Sequence, residues 1–421
     1  MKHDLIERDA RYVADALKIR YTPFVAAGGD GAWLIDESGK RYIDFAAGWA
    51  AAGLGYSNAH VKRAIAEQLD RATMAGLLSG VNQPTGGMAA RLADLAPATG
   101  GAQDWYGLSG SDSAEAAQRM ILRATGKPRI VSFVGGWHGT TDATMSLSGH
   151  PSLGGVLGGA HVTKIPYPNP YRDPFGGDGA DLTDRCLGYL ENYLFRTICP
   201  PEQVAAVFVE AVQSDGGDIV PPDDFMPKLR ALCDRHGIYL VVDEIKVGLG
   251  RTGEWFAYQH GNVEPDFVLL GKSLGGGLPL SAVVGRREVL DFQPGSALFT
   301  MSGNGNSCAA GLAVIDEIER LERRIAETAT HRPVDGIRGR RRCAWQGDDL
   351  RCRAGHRSHE QGTQHDLAGQ DRLSCMGTGH DRLLRRQLGE CAGNHAPAGH
   401  RNRCDRTGGR IARPGDCRCA R

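Results

Sequence analysis

Three positions in the 421-residue chain place reactive side chains where an apolar run stops. Val241-Val242 runs into Asp243-Glu244, and an acid directly after a buried strand is costly unless it meets a cation. Phe267–Leu270 gives way to Gly271-Lys272-Ser273 and then to Leu274-Gly275-Gly276-Gly277. A lysine that leaves an apolar strand into a glycine-rich loop is readily desolvated, which lowers its pKa and suits it to Schiff-base chemistry. The apolar stretch 105–108 leads into Ser109-Gly110-Ser111 and a helical period. Backbone N–H groups and hydroxyls converge there as a phosphate cradle would require. Of these features taken singly, the lysine reads as a surface charge and the aspartate as a helix cap. In this order they describe a site for pyridoxal 5′-phosphate (PLP), with the carboxylate paired to the pyridine nitrogen so that the ring stays an electron sink.

A second glycine pattern competes. Gly248, Gly250 and Gly253 spell the dinucleotide fingerprint after a strand, with Asp266 further on. The residues that follow, Glu254-Trp255-Phe256-Ala257-Tyr258, lack a clear helical period, and Asp243-Glu244 would repel a pyrophosphate. The pattern argues against a dinucleotide site.

The elements that must hold these residues alternate apolar β-rich runs with amphipathic stretches, the pattern of an α/β domain with a mainly parallel sheet. Strands are expected at 104–107, 130–133, 204–210, 238–242, Phe267–Leu270 and 282–284, and a hairpin joins 33–35 to 42–45. Helices are expected at 60–72, 88–95, 113–124, Phe225–His236 and 308–323. The segment 166–179 is a Pro/Gly loop within the domain rather than a linker. Cys186, Cys199, Cys233 and Cys308 match no metal or redox spacing and read as buried, reduced thiols. No run of about 18 apolar residues could span a membrane. The charged N-terminal stretch lacks the core of a secretory leader, so a cytoplasmic protein is expected.

The formal net charge of zero is a cancellation. Residues 1–330 carry 30 Lys+Arg against 39 Asp+Glu, whereas residues 331–421 carry 19 Arg, no Lys and 10 Asp+Glu. The latter segment also holds seven of the eleven Cys and seven of the fourteen His, and Trp345 is its only aromatic. So few apolar residues do not offset ordering entropy, and disorder is expected there. An arginine-rich nucleic-acid arm and a metal module built on Cys391, His395, His400 and Cys404 are two readings. Translation out of frame is the third, and the composition favours it: GC-rich coding sequence read out of frame yields Arg, Gly, Ala, Cys and His. No nucleic-acid partner is then expected.

Residues from about 10 to 328 resemble the class III aminotransferases, fold-type I PLP enzymes. VVDEIKVGLGRTGEWF, PDFVLLGKSLGGGLPLSAVVG, YGLSGSDSAEAAQRMILRATG and FVGGWHGTT carry the resemblance, with IDESGKRYIDFAAGWAAAGLGY before them and TMSGNGNSCAAGLAV after. The family implies a seven-stranded, mainly parallel sheet flanked by helices, with a smaller N-/C-terminal domain. Residues 1–55 would form the N-terminal segment of that domain and 56–305 the large PLP-binding domain. Residues 306–330 would lead towards a C-terminal domain whose place 331–421 occupies. The resemblance also implies a homodimer with shared active sites.

Residue by residue, it makes Lys272 the Schiff-base lysine and Asp243 the pyridine-nitrogen partner. Gly110 and Ser111 become phosphate ligands, joined by Thr300 lent from the neighbouring subunit, and Trp137 becomes the ring-stacking aromatic. Lys246 stands where many transaminases place Gln near the ring hydroxyl, Gly305 replaces a usual Pro, and Ala211 replaces another. IPYPNPYRDP, VQSDGGDIVPP, DEIKVGLGRTG and LGGGLPLSAV are similar to the branch that racemises α-amino-ε-caprolactam. That likeness makes Asp215 a second acid/base beside Lys272, and it puts Trp49, with Trp137, near a small amino substrate, either an amino lactam or an amino-acid amide. Transamination by Lys272 alone is the alternative. Asp215 could instead be a solvated loop acid, and His138 could serve only to anchor a turn.

Overall fold

The computed structural model describes residues 2–71, 78–98, 101–153, 159, 161–177, 179, 181–330, 345–346 and 349–350. Among the described residues, ten strands precede residue 330. Ala26–Asp30 (β1), Trp33–Asp36 (β2) and Arg41–Ile43 (β3) form an antiparallel sheet in that order. The expected hairpin is its β2–β3 half. Ala102–Gly107 (β4), Arg129–Phe133 (β5), Val162–Ile165 (β6), Val204–Val209 (β7), Tyr239–Asp243 (β8), Phe267–Leu270 (β9) and Ser281–Arg286 (β10) form the large sheet, in the order β4-β10-β9-β8-β7-β5-β6. The pairs from β6 through β9 are parallel, and β10 alone runs against both its neighbours. The expected mainly parallel seven-stranded sheet of a fold-type I PLP enzyme is therefore present.

The sequence of β7, VAAVFV, is buried at every residue, as a strand covered on both faces must be. Its side chains alternate between two cores: Val207 and Val209 enter one, and Ala206 and Phe208 the other. The first core lies under helices Gln83–Leu95 and Gly305–Thr330, and the second under helix Gly110–Thr125. Close backbone approach locks the long helix down: a Cβ on Gly311 would stand 2.9 Å from Met88 Cε and 3.0 Å from the Leu274 carbonyl oxygen.

Helix Gly110–Thr125 starts three residues before the expected 113, and this matters for the site. Ser109 and Asp112 form a reciprocal capping box, and Gly126 closes the helix at a φ of 67°. The four body cysteines are buried and free, as expected. No helix among the described residues is long and apolar enough to cross a membrane. The readings of 331–421, including the Cys/His module, lie outside the described residues, apart from the antiparallel pair Trp345–Gln346 and Asp349–Leu350.

Candidate active site

Strand register brings the reactive side chains to one edge. Val209 of β7 lies opposite Val242 of β8, and Asp243 lies opposite Leu269 of β9. Glu210, the next residue after β7, is therefore level with Asp243, and Lys272 leaves β9 just beyond them. Asp243 is buried. Its Oδ1 accepts the N–H of Ile245 at 3.0 Å, and its Oδ2 lies 2.8 Å from Nδ1 of His138. Burial pulls the imidazole's pKa down, but the hydrogen bond to Asp243 and the charges of Asp243 and Glu210 outweigh it and hold it above the ordinary value. His138 thus does more than anchor a turn: it is the buried hydrogen-bond partner of the Asp243 carboxyl group.

Lys272 opens a short 3-10 turn, Lys272–Gly275, with a left-handed φ of 46°. Such a conformation costs a non-glycine residue on the order of 1–3 kcal/mol and persists only where surroundings over-determine it. Burial pushes the Lys272 amine's pKa below the ordinary lysine value; the charges of Asp215 and Asp243 oppose this, and that of Lys246 adds to it. The neighbouring Ser273 Oγ donates to the Ala50 carbonyl at 2.9 Å. That bond joins the lysine turn to Ala47–Ala50, where Ala47, Gly48, Trp49 and Ala50 have φ of 47°, 57°, 64° and 63°. Asp44 holds the start of this turn, accepting from Ala46 N, Gly48 N and Tyr56 Oη. Trp49 is half exposed on it.

The anion cradle is the start of helix Gly110–Thr125. Asp112 Oδ2 accepts the N–H groups of Leu108 and Ser109 at 2.9 and 3.0 Å, and Ser109 Oγ accepts that of Asp112. The donors between them, on Gly110 and Ser111, belong to the first turn, which has no partner within a helix. The backbones approach closely here: a Cβ on Gly110 would stand 2.8 Å from Ile245 Cδ1, and one on Gly271 would stand 3.3 Å from Ile245 Cγ2 and 3.6 Å from Gly110 Cα. The helix start, the residue after Asp243-Glu244 and the residue before Lys272 are therefore packed together. A desolvated amine, an enclosed carboxylate and helix-start donors are a set that fits PLP.

The other expected residues are distributed around this core. Trp137 is partly buried, its backbone N–H is held by Glu210, and its ring meets His150 edge-on at 5.5 Å. Asp215 lies on a turn closed by reciprocal backbone bonds between Gln213 and Ile219. Lys246 Nζ pairs with Asp218 Oδ1 at 3.2 Å on the same turn. Thr300 is exposed and shares no hydrogen bond with Lys272, Asp243 or Gly110 among the described residues. The glycines of the dinucleotide-like pattern lie in turns and bends, followed by a short 3-10 turn, Ala257–Gly261, rather than by the α-helix a dinucleotide site needs. No cluster among the described residues could hold a metal ion. Glu210, Ser214 and Ser273 were not anticipated. Glu210 carries the same signal as Asp243, an acid immediately after a fully apolar strand.

The model of the family described as "Aminotransferase class-III" matches residues 16–332. The alanine/serine racemase of Pyrococcus horikoshii is 36% identical over 325 residues, 75% of this chain and 68% of that protein. The leucine/methionine racemase of Thermococcus litoralis is 38% identical over 327 residues, covering 76% and 73%. Among solved structures, a PLP-bound amine transaminase from an uncultivated Pseudomonas species superposes with a TM-score of 0.66 at 31% identity, covering 74% of each chain. The chain belongs to the class III aminotransferase family and is a PLP-dependent enzyme.

Proposed function

We propose that the protein racemises an amino lactam or amino-acid amide at Cα, with Lys272 and Asp215 as acid/base groups on opposite faces. The supporting observation is the environment of Lys272: after burial, the charge of Asp215 acts on it most strongly, ahead of Asp243. A racemase needs proton carriers on both faces of the carbon. The bound cofactor supplies the electron sink for the charge left at Cα. Asp243, hydrogen-bonded to His138, pairs with the ring nitrogen; Gly110 and Ser111 bind the phosphate, with Thr300 of a second copy in a homodimer. Trp137 covers the ring, Lys246 stands near its hydroxyl, and Trp49 walls the substrate.

The test is a single enantiomer of α-amino-ε-caprolactam incubated with the protein in an intact reading frame. Optical rotation should decay with no keto product, and Asp215→Asn should slow that decay by about 10²–10⁴-fold. Retained rotation with release of keto product overturns the reading in favour of a transaminase, which needs Lys272 alone. The solved transaminase with the same fold favours that second reading.

A separate inference concerns residues 331–421. The family match ends at 332, where the composition changes. We read the segment as out-of-frame translation and expect the chain as it stands to be poorly soluble or inactive. The nucleotide sequence over codons 320–335 tests this: an inserted or deleted base is expected, and an uninterrupted frame shared with related genes overturns it.

A further inference from the structure

The strand end beside Asp243 carries a buried carboxylate with no part in the chemistry above. Glu210 is 4% exposed. Its Oε1 accepts the backbone N–H of Trp137 at 2.9 Å. Its Oε2 accepts the N–H of Ser214 at 3.0 Å and the Ser214 hydroxyl at 2.5 Å. The two oxygens therefore grip two segments that are remote in sequence. One carries the indole expected over the ring, and the other opens the turn bearing Asp215. Tyr167 fixes the origin of the grip, since its hydroxyl donates to the carbonyls of Glu210 and Ala211 at 3.0 and 3.3 Å. All three groups facing the Glu210 side chain are donors, and a carboxylate can accept from every one. A glutamine of the same shape would turn its own N–H₂ towards one of them.

Burial raises the pKa of Glu210 and the charge of Asp243 adds to that, while the charge of His138, the Ser214 hydroxyl and the Trp137 N–H oppose it. The rest of the turn is also braced. Gln213 Nε2 donates to the Val134 carbonyl at 3.0 Å, and Asp218 pairs with Lys246. Gln213 thus braces the turn at Val134, and Glu210 holds it at Trp137 itself.

We propose that Glu210 is a positioning residue that sets the Asp215 turn and the Trp137 segment against each other, so that the second acid/base is registered to the face of the substrate it must reach. This rests on the racemase reading for the role of Asp215. It assigns Glu210 no proton transfer. A misplacement of about 1 Å in such a constellation costs on the order of 10²-fold in rate, so a brace shared by both segments controls one face more than the other.

The experiment uses the full PLP-loaded protein in an intact reading frame, each enantiomer of α-amino-ε-caprolactam in D₂O, and the visible circular dichroism of the bound cofactor. Asp215→Asn should slow Cα–H exchange from one enantiomer by about 100-fold relative to the other. Glu210→Gln should slow the same enantiomer about tenfold more than the other and change the dichroism, because both grips are disturbed. Ser214→Ala keeps the carboxylate and loosens one grip, so it should show the one-sided loss with unchanged dichroism, and it serves if Glu210→Gln fails to fold. Equal slowing of both enantiomers, or none, in Glu210→Gln and Ser214→Ala overturns the proposal while a one-sided Asp215→Asn leaves the racemase reading intact. If Asp215→Asn is not one-sided, the racemase reading falls, and unchanged dichroism in Glu210→Gln then overturns the brace as well.

Discussion

Two carboxylates in different parts of the molecule grip backbone in the same way and end with opposite acidities. Asp36, in the small sheet, accepts from Ser38 N, Ser38 Oγ, Lys40 N and Tyr42 Oη. The Ser38 hydroxyl, against a smaller opposing effect of burial, brings its pKa down to about 2, with Lys40 N–H and Tyr42 Oη helping. Glu244, in the large sheet, accepts from Ala257 N and Tyr258 N at 2.9 Å each. Burial nevertheless pushes its pKa up to about 8, those two bonds opposing and the charge of Asp243 adding. Both side chains are covered, but Asp36 is covered by its own turn with little protein beyond, and Glu244 by the whole depth of the doubly packed sheet. Hydrogen bonds dominate where cover is thin, and desolvation dominates where it is deep. The second region is where neutral acids and neutral amines are favoured together, which is what a site built on Lys272 requires.

The largest expected effect tests that last point. In the intact-frame protein, Lys272→Ala should lower turnover by at least about 10³-fold and abolish borohydride trapping of the cofactor, read as loss of the added mass on the reduced protein. A trapped cofactor in the variant would show that deep burial at the end of β9 serves only packing.

A smaller effect separates desolvation from hydrogen bonding at Glu244. Its pKa in the fold, about 8, exceeds the ordinary 4.5. The protonated form is the one the fold prefers, so this contribution to stability is complete below pH 4.5, falls as pH rises and is gone above about 8. Glu244→Gln cannot ionise. The wild-type urea midpoint should therefore fall between pH 5 and pH 9 by more than the variant's, a difference on the order of a few kcal/mol. Parallel curves would mean that the Ala257 and Tyr258 bonds outweigh burial.

The parts of this arrangement that were legible in the sequence are those encoded locally. Apolar runs ending in Asp243 and Lys272 are visible because a buried strand tolerates such residues only at its exit. The same rule applies to Glu210 after VAAVFV, but what Glu210 holds, Trp137 and Ser214, follows from strand order. His138 and Asp243 are 105 residues apart and meet only because β5 and β8 flank β7. The left-handed turn Ala47–Ala50 gave no signal, since AGWA has one glycine for four positive φ values, and the bonds from Asp44 and Ser273 supply what composition does not. The reversed direction of β10 was equally invisible: strand composition does not encode direction.

The smallest effect belongs to Asp36, and it completes the comparison. With its pKa held near 2 in the fold against an ordinary 3.8, the ionised form is the one the fold prefers. Its contribution to stability is present above pH 3.8 and is lost as pH falls through about 2. Asp36→Asn keeps an acceptor for the Ser38 and Lys40 groups but cannot be protonated in that range. Its urea midpoint should lie below that of the wild type at pH 6, and the gap should narrow as the pH drops from 4 towards 2. A gap that stays constant over that interval would mean that the turn's geometry, rather than the charge gripping it, holds β2 to β3. The thin region would then owe its depressed pKa to nothing that folding uses.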